Sequence, residues 1–423
     1  MELRFLTLTL FVFAYLLFIF LPGKRTYIAL IASCALIISR CIGLREAFFV
    51  INWNVMGIFV GTLVIADLFM ESRMPAYLAE LIVNRSKNTC IAMLFICALT
   101  GFISAFVENV ATVLIVAPIA LALSKKLHIS PVKLLIAIAI SSNLQGTATL
   151  IGDPPSMLLG GFAKMNFMDF FFYKGKPSIF FAVQAGALVS FVVLYYIFRK
   201  EKKQVELLRV EKIKSLVPTF LLVALIIALA ISSFFDTGFS FLAGTICLIT
   251  AFLGLLWDAF ANKGNFIARI KALDWETTFF LVGVFILVGS LTLTGWIDVS
   301  AGFLSQLIGQ NIFLGFVLLV TISVVLSAFI DNVPFLAAML PVTVSVAQKL
   351  SVEPTVFLFG LLIGTSLGGN ITPIGASANI VSVGILKKEG YQVKFMDFVK
   401  IGLPFTIVAV LAACCFVWVV WKP

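Results

Sequence analysis

The chain has 423 residues, of which 61% are hydrophobic and only 12% are charged, and its mean hydropathy is +1.14. Soluble domains carry roughly 25% charged residues, so this composition excludes a disordered chain and an ordinary soluble enzyme and indicates a protein embedded in lipid. The net charge of +10 does not indicate a nucleic-acid partner. The basic residues lie between the apolar segments, where they set the orientation of a membrane protein.

Ten segments are apolar and long enough to cross the hydrocarbon core, which takes about 20 residues of helix. We therefore predict an all-α polytopic membrane protein with about ten transmembrane helices. The predicted spans are 5–21, 26–43, 53–70, 131–162, 177–198, 216–234, 239–256, 275–293, 354–386 and 399–421.

Two further apolar stretches are too long for one crossing. The stretches 89–124 and 312–347 hold 36 residues each, and their centres carry Glu108-Asn109 and Asp331-Asn332. Non-helical backbone at membrane depth survives only where protein or a water-filled cavity surrounds it. We predict that both stretches form re-entrant hairpins, with their tips near the middle of the membrane.

The basic residues favour one orientation of this layout. The loop 199–214 alone holds seven Lys and Arg residues. If this loop is cytoplasmic, ten crossings and two hairpins place 22 of the 30 basic residues on the cytoplasmic side of a cell membrane.

The sequence repeats itself weakly at a constant spacing. SAFVENVATVLIVAPI at 104–119 matches SAFIDNVPFLAAMLPV at 327–342 at six of sixteen positions, with an offset of 223 residues. The same offset aligns SNLQGTATLIGDPPS at 142–156 with TSLGGNITPIGASAN at 365–379. Five predicted crossings separate Trp53 from Trp275, so the second unit is inverted. Inverted repeats with broken helices are typical of secondary transporters whose binding site lies near the midplane.

This pattern predicts five regions along the chain. Each repeat is expected to contain a helix, a hairpin, a broken helix (131–162 or 354–386) and a further helix. The regions are N-terminal transmembrane helices at 1–50, repeat 1 at 51–198, the basic loop at 199–214, linking transmembrane helices at 215–272 and repeat 2 at 273–423.

Helix-breaking residues and polar side chains coincide in both predicted broken helices. Gly and Pro free backbone carbonyl and amide groups, and carbonyls with Asn, Thr and Asp oxygens suit a hard cation such as Na⁺. A kinked but merely packed helix is the alternative, and two matching breaks beside two hairpins favour an ion site. The residues predicted to hold Na⁺ are Asn109, Gly146, Gly152, Asn332, Gly369 and Gly375.

Four acidic residues lie inside apolar segments, where a charged side chain costs about 2.5–3.5 kcal/mol to insert. Glu108 and Asp331 occupy equivalent tips, Asp153 aligns with Ala376, and Asp67 lies near the end of its helix, where we interpret it as structural. A buried carboxylate can hold a cation and a proton in turn, and we rank Asp331 before Glu108 and Asp153 in this role. The alternative for these three is the capping of a helix N-terminus. The predicted ion- or substrate-binding residues are Glu108, Asn109, Thr112, Asn143, Thr147, Thr149, Asp153, Asp331, Asn332, Asn370, Thr372, Ser377 and Asn379.

The motifs SAFVENVATVLIVAP and SSNLQGTATLIGDPPSMLLGG resemble the permease family that joins arsenite efflux pumps, Na⁺/H⁺ antiporters of the NhaD type and the pink-eyed-dilution P protein. GTSLGGNITPIGASANIVSVGILKKEG looks especially like the P-protein branch. The resemblance runs from about Trp53 to the C-terminus. It implies a scaffold region, a transport region with two hairpins, and a homodimer that moves as an elevator.

The tips depart from the wider ion transporter superfamily, which includes citrate and dicarboxylate carriers with Ser-Asn-Thr at each tip. Here the tips read Glu-Asn-Val at 108–110 and Asp-Asn-Val at 331–333. Two acids would repel a dicarboxylate, so this departure disfavours such a substrate.

Together these features predict a secondary active transporter of a small inorganic ion, coupled to H⁺ or Na⁺, and not an enzyme. Na⁺/H⁺ antiport and efflux of arsenite or another anion are both open. The alternatives are a Na⁺-coupled citrate or dicarboxylate symporter and, in a different class, an ion channel. We expect no cofactor beyond the coupling ion. The expected partners are the bilayer, the small ion and a second copy of the chain, without an ATPase subunit or nucleic acid.

The orientation can be tested by labelling single cysteines in intact cells. Cysteines placed in 199–214 should react only from the cytoplasm, whereas cysteines near Asp236 and Asp298 should react from outside, because basic loops are retained inside. Labelling of the basic loop by an impermeant external reagent would contradict the predicted orientation.

Overall fold

The computed structural model describes residues 2–203, 212–236, 238–262 and 264–423. The central part of the basic loop, at 204–211, lies outside the described residues. The described chain forms twenty α-helices, the 3₁₀ turns Pro22–Lys24, Met168–Phe170 and Gly369–Ile371, and an antiparallel pair of two-residue strands, β1 (Phe172–Tyr173) and β2 (Lys176–Pro177). It is the predicted all-α architecture.

The helices fall into two sets of ten that follow one another in the same order. Most equivalent helices have similar lengths; for example, the first arm of each hairpin has 16 residues and the second has 18. The first set is α1 (Glu2–Phe20), α2 (Arg25–Ile38), α3 (Leu44–Val50), α4 (Trp53–Glu71), α5 (Met74–Asn84), α6 (Thr89–Ser104), α7 (Asn109–Lys126), α8 (Val132–Gly146), α9 (Pro154–Ala163) and α10 (Ile179–Phe198). The second set is α11 (Val217–Ser232), α12 (Leu242–Ala261), α13 (Phe266–Ala272), α14 (Trp275–Leu293), α15 (Trp296–Ile308), α16 (Ile312–Ser327), α17 (Asn332–Lys349), α18 (Thr355–Gly368), α19 (Ser377–Lys388) and α20 (Phe395–Trp421).

One parallel helix pair shows that the second set is inverted. In α4 and α12, Gly57 faces Gly244 and Gly61 faces Cys247, so the two helices run in the same direction. Helices α2 and α4 are successive crossings and therefore run in opposite directions. Since α12 is equivalent to α2 and runs with α4, the second set is upside down relative to the first.

Each hairpin returns to the side from which it entered. The Thr149 hydroxyl, just beyond α8, donates to the carbonyl of Ala105, just beyond α6, across a spacing of 44 residues. One turn earlier, Gly101 packs against Gln145 at the same spacing, so α6 and α8 run parallel. Helix α7 must therefore bring the chain back before α8 begins, which confirms the first re-entrant hairpin.

The second repeat has the same geometry. Helices α16 and α18 run parallel, again with a spacing of 44 residues. The contacts that set this register are Phe316 with Gly360, Val320 with Gly364, Val324 with Gly368 and Ala328 with Thr372.

Seven described helices are long and apolar enough to cross a membrane alone, namely α1, α4, α7, α10, α12, α14 and α20. Six of these are predicted spans, and α7 is a hairpin arm. The other predicted spans are the shorter helices α2 and α11 and the pairs α8–α9 and α18–α19. Each pair crosses as two half-length helices separated by a break. The chain is thus a multi-pass integral membrane protein.

The acid near the end of α4 lies in an ion-pair cluster. Arg269 on α13 contacts Asp67 at 3.3 Å and Asp258 at 2.9 Å, and it also pairs with Glu71. These contacts tie α13 to the ends of α4 and α12.

The close approach of α4 and α12 depends on glycine. A Cβ atom on Gly61 would lie 2.5 Å from the backbone carbonyl carbon of Cys247, and small residues are what allow membrane helices to approach this closely. Gly61→Ala should therefore lower the thermal midpoint of the detergent-purified protein, since overpacking costs about 1–3 kcal/mol.

Gly384→Ala is the matched control, because no atom lies within 4 Å of a Cβ atom at that helical position. The control should leave the midpoint unchanged or raise it. Equal midpoints for the two variants would contradict the close helix contact.

Candidate functional site

The two hairpin tips begin with capping carboxylates. Glu108 is the N-cap of α7 and accepts a hydrogen bond from the Ala111 amide at 2.9 Å. Asp331 is the N-cap of α17 and accepts one from the Val333 amide at 3.1 Å. Asp153 caps α9 in the same way through the Ser156 amide at 3.1 Å. Capping thus engages one oxygen of each carboxylate.

The first tip is tied to the broken helix by a chain of polar side chains. Ser104 donates to the Asn109 Oδ1 atom at 2.7 Å and lies 2.8 Å from the Ser142 hydroxyl. The Asn109 Nδ2 atom in turn faces Asn143 Oδ1 at 3.4 Å. Gly146 leaves room for this amide, since a Cβ atom there would lie 2.9 Å from Asn109 Cγ.

The second tip repeats this arrangement at equivalent positions. The Ser327 hydroxyl donates to the Thr365 carbonyl at 2.6 Å. With its nitrogen facing the broken helix, the Asn332 amide donates to the Thr365 and Gly375 carbonyls at 3.1 and 3.3 Å. The hydroxyls of Thr365 and Ser366 are buried and have no hydrogen-bond partner in the described chain.

Side chains form hydrogen bonds with backbone carbonyls at and beside the breaks. Thr149 and Thr372 donate to the carbonyls at the ends of the first hairpin arms. The Asn379 amide donates to the carbonyls of Gly369 and Thr372, at 2.9 Å each. The Asn379 bonds replace helical hydrogen bonds that the second break removes. Thr149 and Thr372 instead satisfy the last carbonyls of the first hairpin arms, so irregular backbone is tolerated at this depth.

Three asparagines join the two broken helices at the centre of the molecule. The Asn143 Nδ2 atom donates to Asn370 Oδ1 at 2.8 Å and to Asn379 Oδ1 at 2.9 Å, and all three side chains are buried. Their aligned positions carry different residue types, so this contact is not duplicated in the repeat.

A small cavity of about 80 Å³ lies where the tips and the breaks converge. Its walls carry four carboxylates and one arginine. The carboxylates belong to Glu108, Asp153, Asp274 and Asp331, and the arginine is Arg25. Among the described residues, no three acidic, His or Cys side chains come close enough to form a metal cluster.

The structure divides the predicted site residues into four groups. Those that line the cavity are Glu108, Asn109, Asn143, Asp153, Asp331, Asn332 and Ser377. Asn370 and Asn379 lie buried against Asn143, whereas the hydroxyls of Thr112, Thr147, Thr149 and Thr372 bond to backbone carbonyls. The glycines Gly146, Gly152, Gly369 and Gly375 form the close backbone contacts of the two breaks.

The residues that sequence reasoning missed are Arg25, Asp274, Ser104 and Ser327. Ser104 and Ser327 are the first residues of the repeated SAF motif, and this recurrence could have identified them as site residues. Asp274 precedes Trp275 as Asn52 precedes Trp53, at an offset of 222 residues. Nothing in the sequence around Arg25 indicated a role in the site, and it counted only as one of the basic residues between the apolar segments.

The inverted halves, the broken helices and the polar cavity between them define a class of membrane transporters. The profile of the citrate transporter family, CitMHS, matches residues 15–351 and 265–423. The chain belongs to this family, which is one of transporters and not of enzymes.

Relatives match along nearly the full chain. An uncharacterized transporter of Mycobacterium tuberculosis is 26% identical over 419 residues, 97% of each chain, and one of Synechocystis is 28% identical over 415 residues, 93% of this chain and 92% of the other. The mouse P protein is 27% identical over 488 aligned positions, which cover 95% of this chain and 58% of the P protein. The resemblance to the P protein is thereby confirmed.

A solved structure shares the fold. The YdaH transporter of Alcanivorax borkumensis superimposes with a TM-score of 0.62 at 14% identity, over 89% of this chain and 87% of that one. At this identity the likeness establishes the architecture alone.

The central asparagine contact can be tested with an isosteric change. Asn143→Asp replaces the nitrogen that donates to Asn370 and Asn379 with an oxygen that faces two acceptors. We expect a fall in the thermal midpoint equivalent to about 2–4 kcal/mol, because two buried hydrogen bonds are lost and a charge is buried.

Asn265→Asp is the control substitution. Its side-chain oxygen only accepts, from the Ala268 amide at 3.0 Å, at an N-cap where Asp serves as well as Asn. A midpoint for Asn143→Asp equal to that of the control would contradict the asparagine junction.

Proposed function

We propose that the chain is a secondary active transporter that exchanges a small monovalent cation, Na⁺ in the first place, for protons. The observation that carries this proposal is the cavity between the tips, where four carboxylates meet a single arginine. An excess of negative charge in a cleft with low-dielectric walls attracts cations and disfavours anions.

The size of the cavity supports a bare or nearly bare ion. Pockets for drug-sized organic ligands occupy roughly 300–1,000 Å³, whereas this cavity holds about 80 Å³. The space can hold a small ion with a few water molecules. A tricarboxylate would need a much wider opening of the tips.

Oxygen ligands for Na⁺ are available at both tips. The Asn109 side chain faces the cavity at the first tip. At the second, the buried Thr365 and Ser366 hydroxyls have unused hydrogen-bonding capacity beside Asn332. Carbonyl, amide and hydroxyl oxygens are the ligands that hard cations prefer.

The capping geometry supports reversible binding. Glu108, Asp153 and Asp331 lie at the N-termini of α7, α9 and α17, where the partial positive charge of each helix offsets part of the carboxylate charge. A cation held there is attracted less strongly than by isolated carboxylates, so it can be released after transport.

Glu108 takes the leading place among the exchanging carboxylates. Asp331 already has a counter-charge in Arg25. Arg25 is the only Lys or Arg among the described residues that line the cavity, so no second basic side chain is available to Glu108. Glu108 therefore lacks a fixed cation of its own, and we expect it to alternate between Na⁺ and a proton. Asp331 is available to a cation only when Arg25 is displaced.

A Na⁺-coupled anion symporter is the second candidate, because one corner of the cavity is positive. Helix α19 begins at Ser377 without a capping carboxylate, and its N-cap is Ala376. The Arg25 guanidinium lies 3.4 Å from the Ser377 hydroxyl. A helix N-terminus beside an arginine can receive a carboxylate or another oxyanion, which would agree with the name of the family.

The resemblance to elevator transporters supports a division of labour between the helices. We propose that α1–α5 and α11–α15 form the scaffold and that α6–α10 and α16–α20 form the transport unit. By the same resemblance we propose a homodimer. This division adds the helices before each predicted repeat to the duplicated unit.

The proposed exchange can be tested in proteoliposomes with imposed Na⁺ and pH gradients. An outward proton gradient should drive Na⁺ uptake, and addition of Na⁺ to the detergent-purified protein should release protons. Glu108→Gln keeps the side-chain shape and removes the titrating group, so it should abolish proton release and reduce exchange at least tenfold. Glu389→Gln, which changes an exposed acid outside the cavity, should behave like the parent.

The same vesicles distinguish the two candidate functions. Uptake of citrate driven by Na⁺, without Na⁺/H⁺ exchange, would replace the first candidate by the second. Arsenite efflux without either activity would refute both. Unchanged proton release in Glu108→Gln would refute the assignment of the exchanging carboxylate.

A further inference from the structure

One arginine from the proposed scaffold reaches into the cavity and pairs with the second tip. Arg25 is the first residue of α2 and directly follows the turn that joins α1 to α2. Its guanidinium pairs with Asp331, and the two side chains are each only 24% exposed. The group also lies over the Phe280 ring, 5.1 Å from its centroid, so both its charge and its planar face have partners.

A second contact from the scaffold holds the same tip. The Tyr15 hydroxyl on α1 donates to the carbonyl of Pro334, near the start of α17, at 2.7 Å. Helices α1 and α2 thus hold the second tip through one ion pair and one hydrogen bond, on either side of Asn332.

Among the described residues, the first tip has no equivalent of Arg25. The helix equivalent to α2 is α12, and the offset of 222 residues that relates Trp53 to Trp275 aligns Arg25 with Cys247. The contact is therefore a departure from the repeat and not a consequence of it.

Separating this pair has an energetic consequence. If the second tip moves away from α2 alone, it leaves two half-buried charges without a partner, which is strongly unfavourable. If a cation or a proton first neutralises Asp331, the tip can leave without an uncompensated carboxylate. The guanidinium and the mobile cation therefore compete for the same oxygen atoms.

We propose that Arg25 is a tethered cation that occupies Asp331 when the site is empty and locks the second tip against α2 until a mobile cation or proton replaces it. The lock would prevent movement of the empty transporter and so make exchange obligatory. The competition with Na⁺ rests on the proposed function, whereas the lock itself follows from the contacts.

The competition is tested by Na⁺ binding to Arg25→Gln, Asp331→Asn and the double variant. Arg25→Gln should tighten Na⁺ binding about tenfold, the effect of removing a partly buried competing charge. The gain should vanish in the Asp331→Asn background. Lys24→Gln is the control, because it removes the same charge one residue away on an exposed side chain. Equal affinities in Arg25→Gln and Lys24→Gln would overturn the competition.

The lock is tested without Na⁺, by the labelling rate of a single cysteine at Val333 in a cysteine-free background. Val333 is buried at the tip, with 6% exposure. Arg25→Gln and Asp331→Asn should each raise the rate about tenfold by releasing the tip, and Arg25→Lys should restore it because the charge is retained. Lys24→Gln should leave it unchanged. Unaltered labelling in both Arg25→Gln and Asp331→Asn would overturn the lock.

The two readouts also separate this inference from the proposed function. A parent protein that binds no Na⁺ would refute cation exchange, while the labelling rates would still decide whether Arg25 locks the tip.

Discussion

Backbone polar groups cannot be left unpaired in hydrocarbon, and this constraint governs how the two helix breaks are built. Each break frees carbonyls at the depth where water is absent, and each is closed by side chains from the same repeat. Thr149 and Thr372 fasten the breaks to the first hairpin arms, and the Asn379 amide satisfies two freed carbonyls. The hairpins are thereby held in fixed register beside the breaks, and the cavity between them is a consequence of that register.

The frame is symmetric, but the chemistry inside it is not. Ser104 and Ser327, Asn109 and Asn332, and the paired glycines of the breaks recur with the repeat. Asp153 and Arg25 do not. A symmetric frame gives two conformations of similar free energy, which alternating access requires. In our proposal, the charged residues that do not recur decide the sign of the ion and whether the empty transporter can move.

Membership of the citrate transporter family does not by itself fix the substrate, because a fold can serve many ligands through changes at a few site residues. In this chain both tips carry an acid before the asparagine, and the resulting cavity has four carboxylates. The positive corner at Ser377 and Arg25 is the part of the site that an anion would use. In our proposal, the selectivity of the site depends on whether Arg25 stays with Asp331 or turns to a ligand.

The sequence by itself determined the membrane class, the ten crossings, both hairpins and the inversion. The hydropathy and length of each segment decide whether it can cross the bilayer, and the repeat spacing can be measured along the chain. The sequence also located the tips, whose acid-asparagine pairs interrupt apolar stretches. Only the tertiary structure decided which polar groups meet. The Arg25–Asp331 pair joins residues 306 positions apart, and Asn143 meets Asn370 across 227. Such contacts arise from the packing of one inverted half against the other, and no periodicity along the chain encodes them.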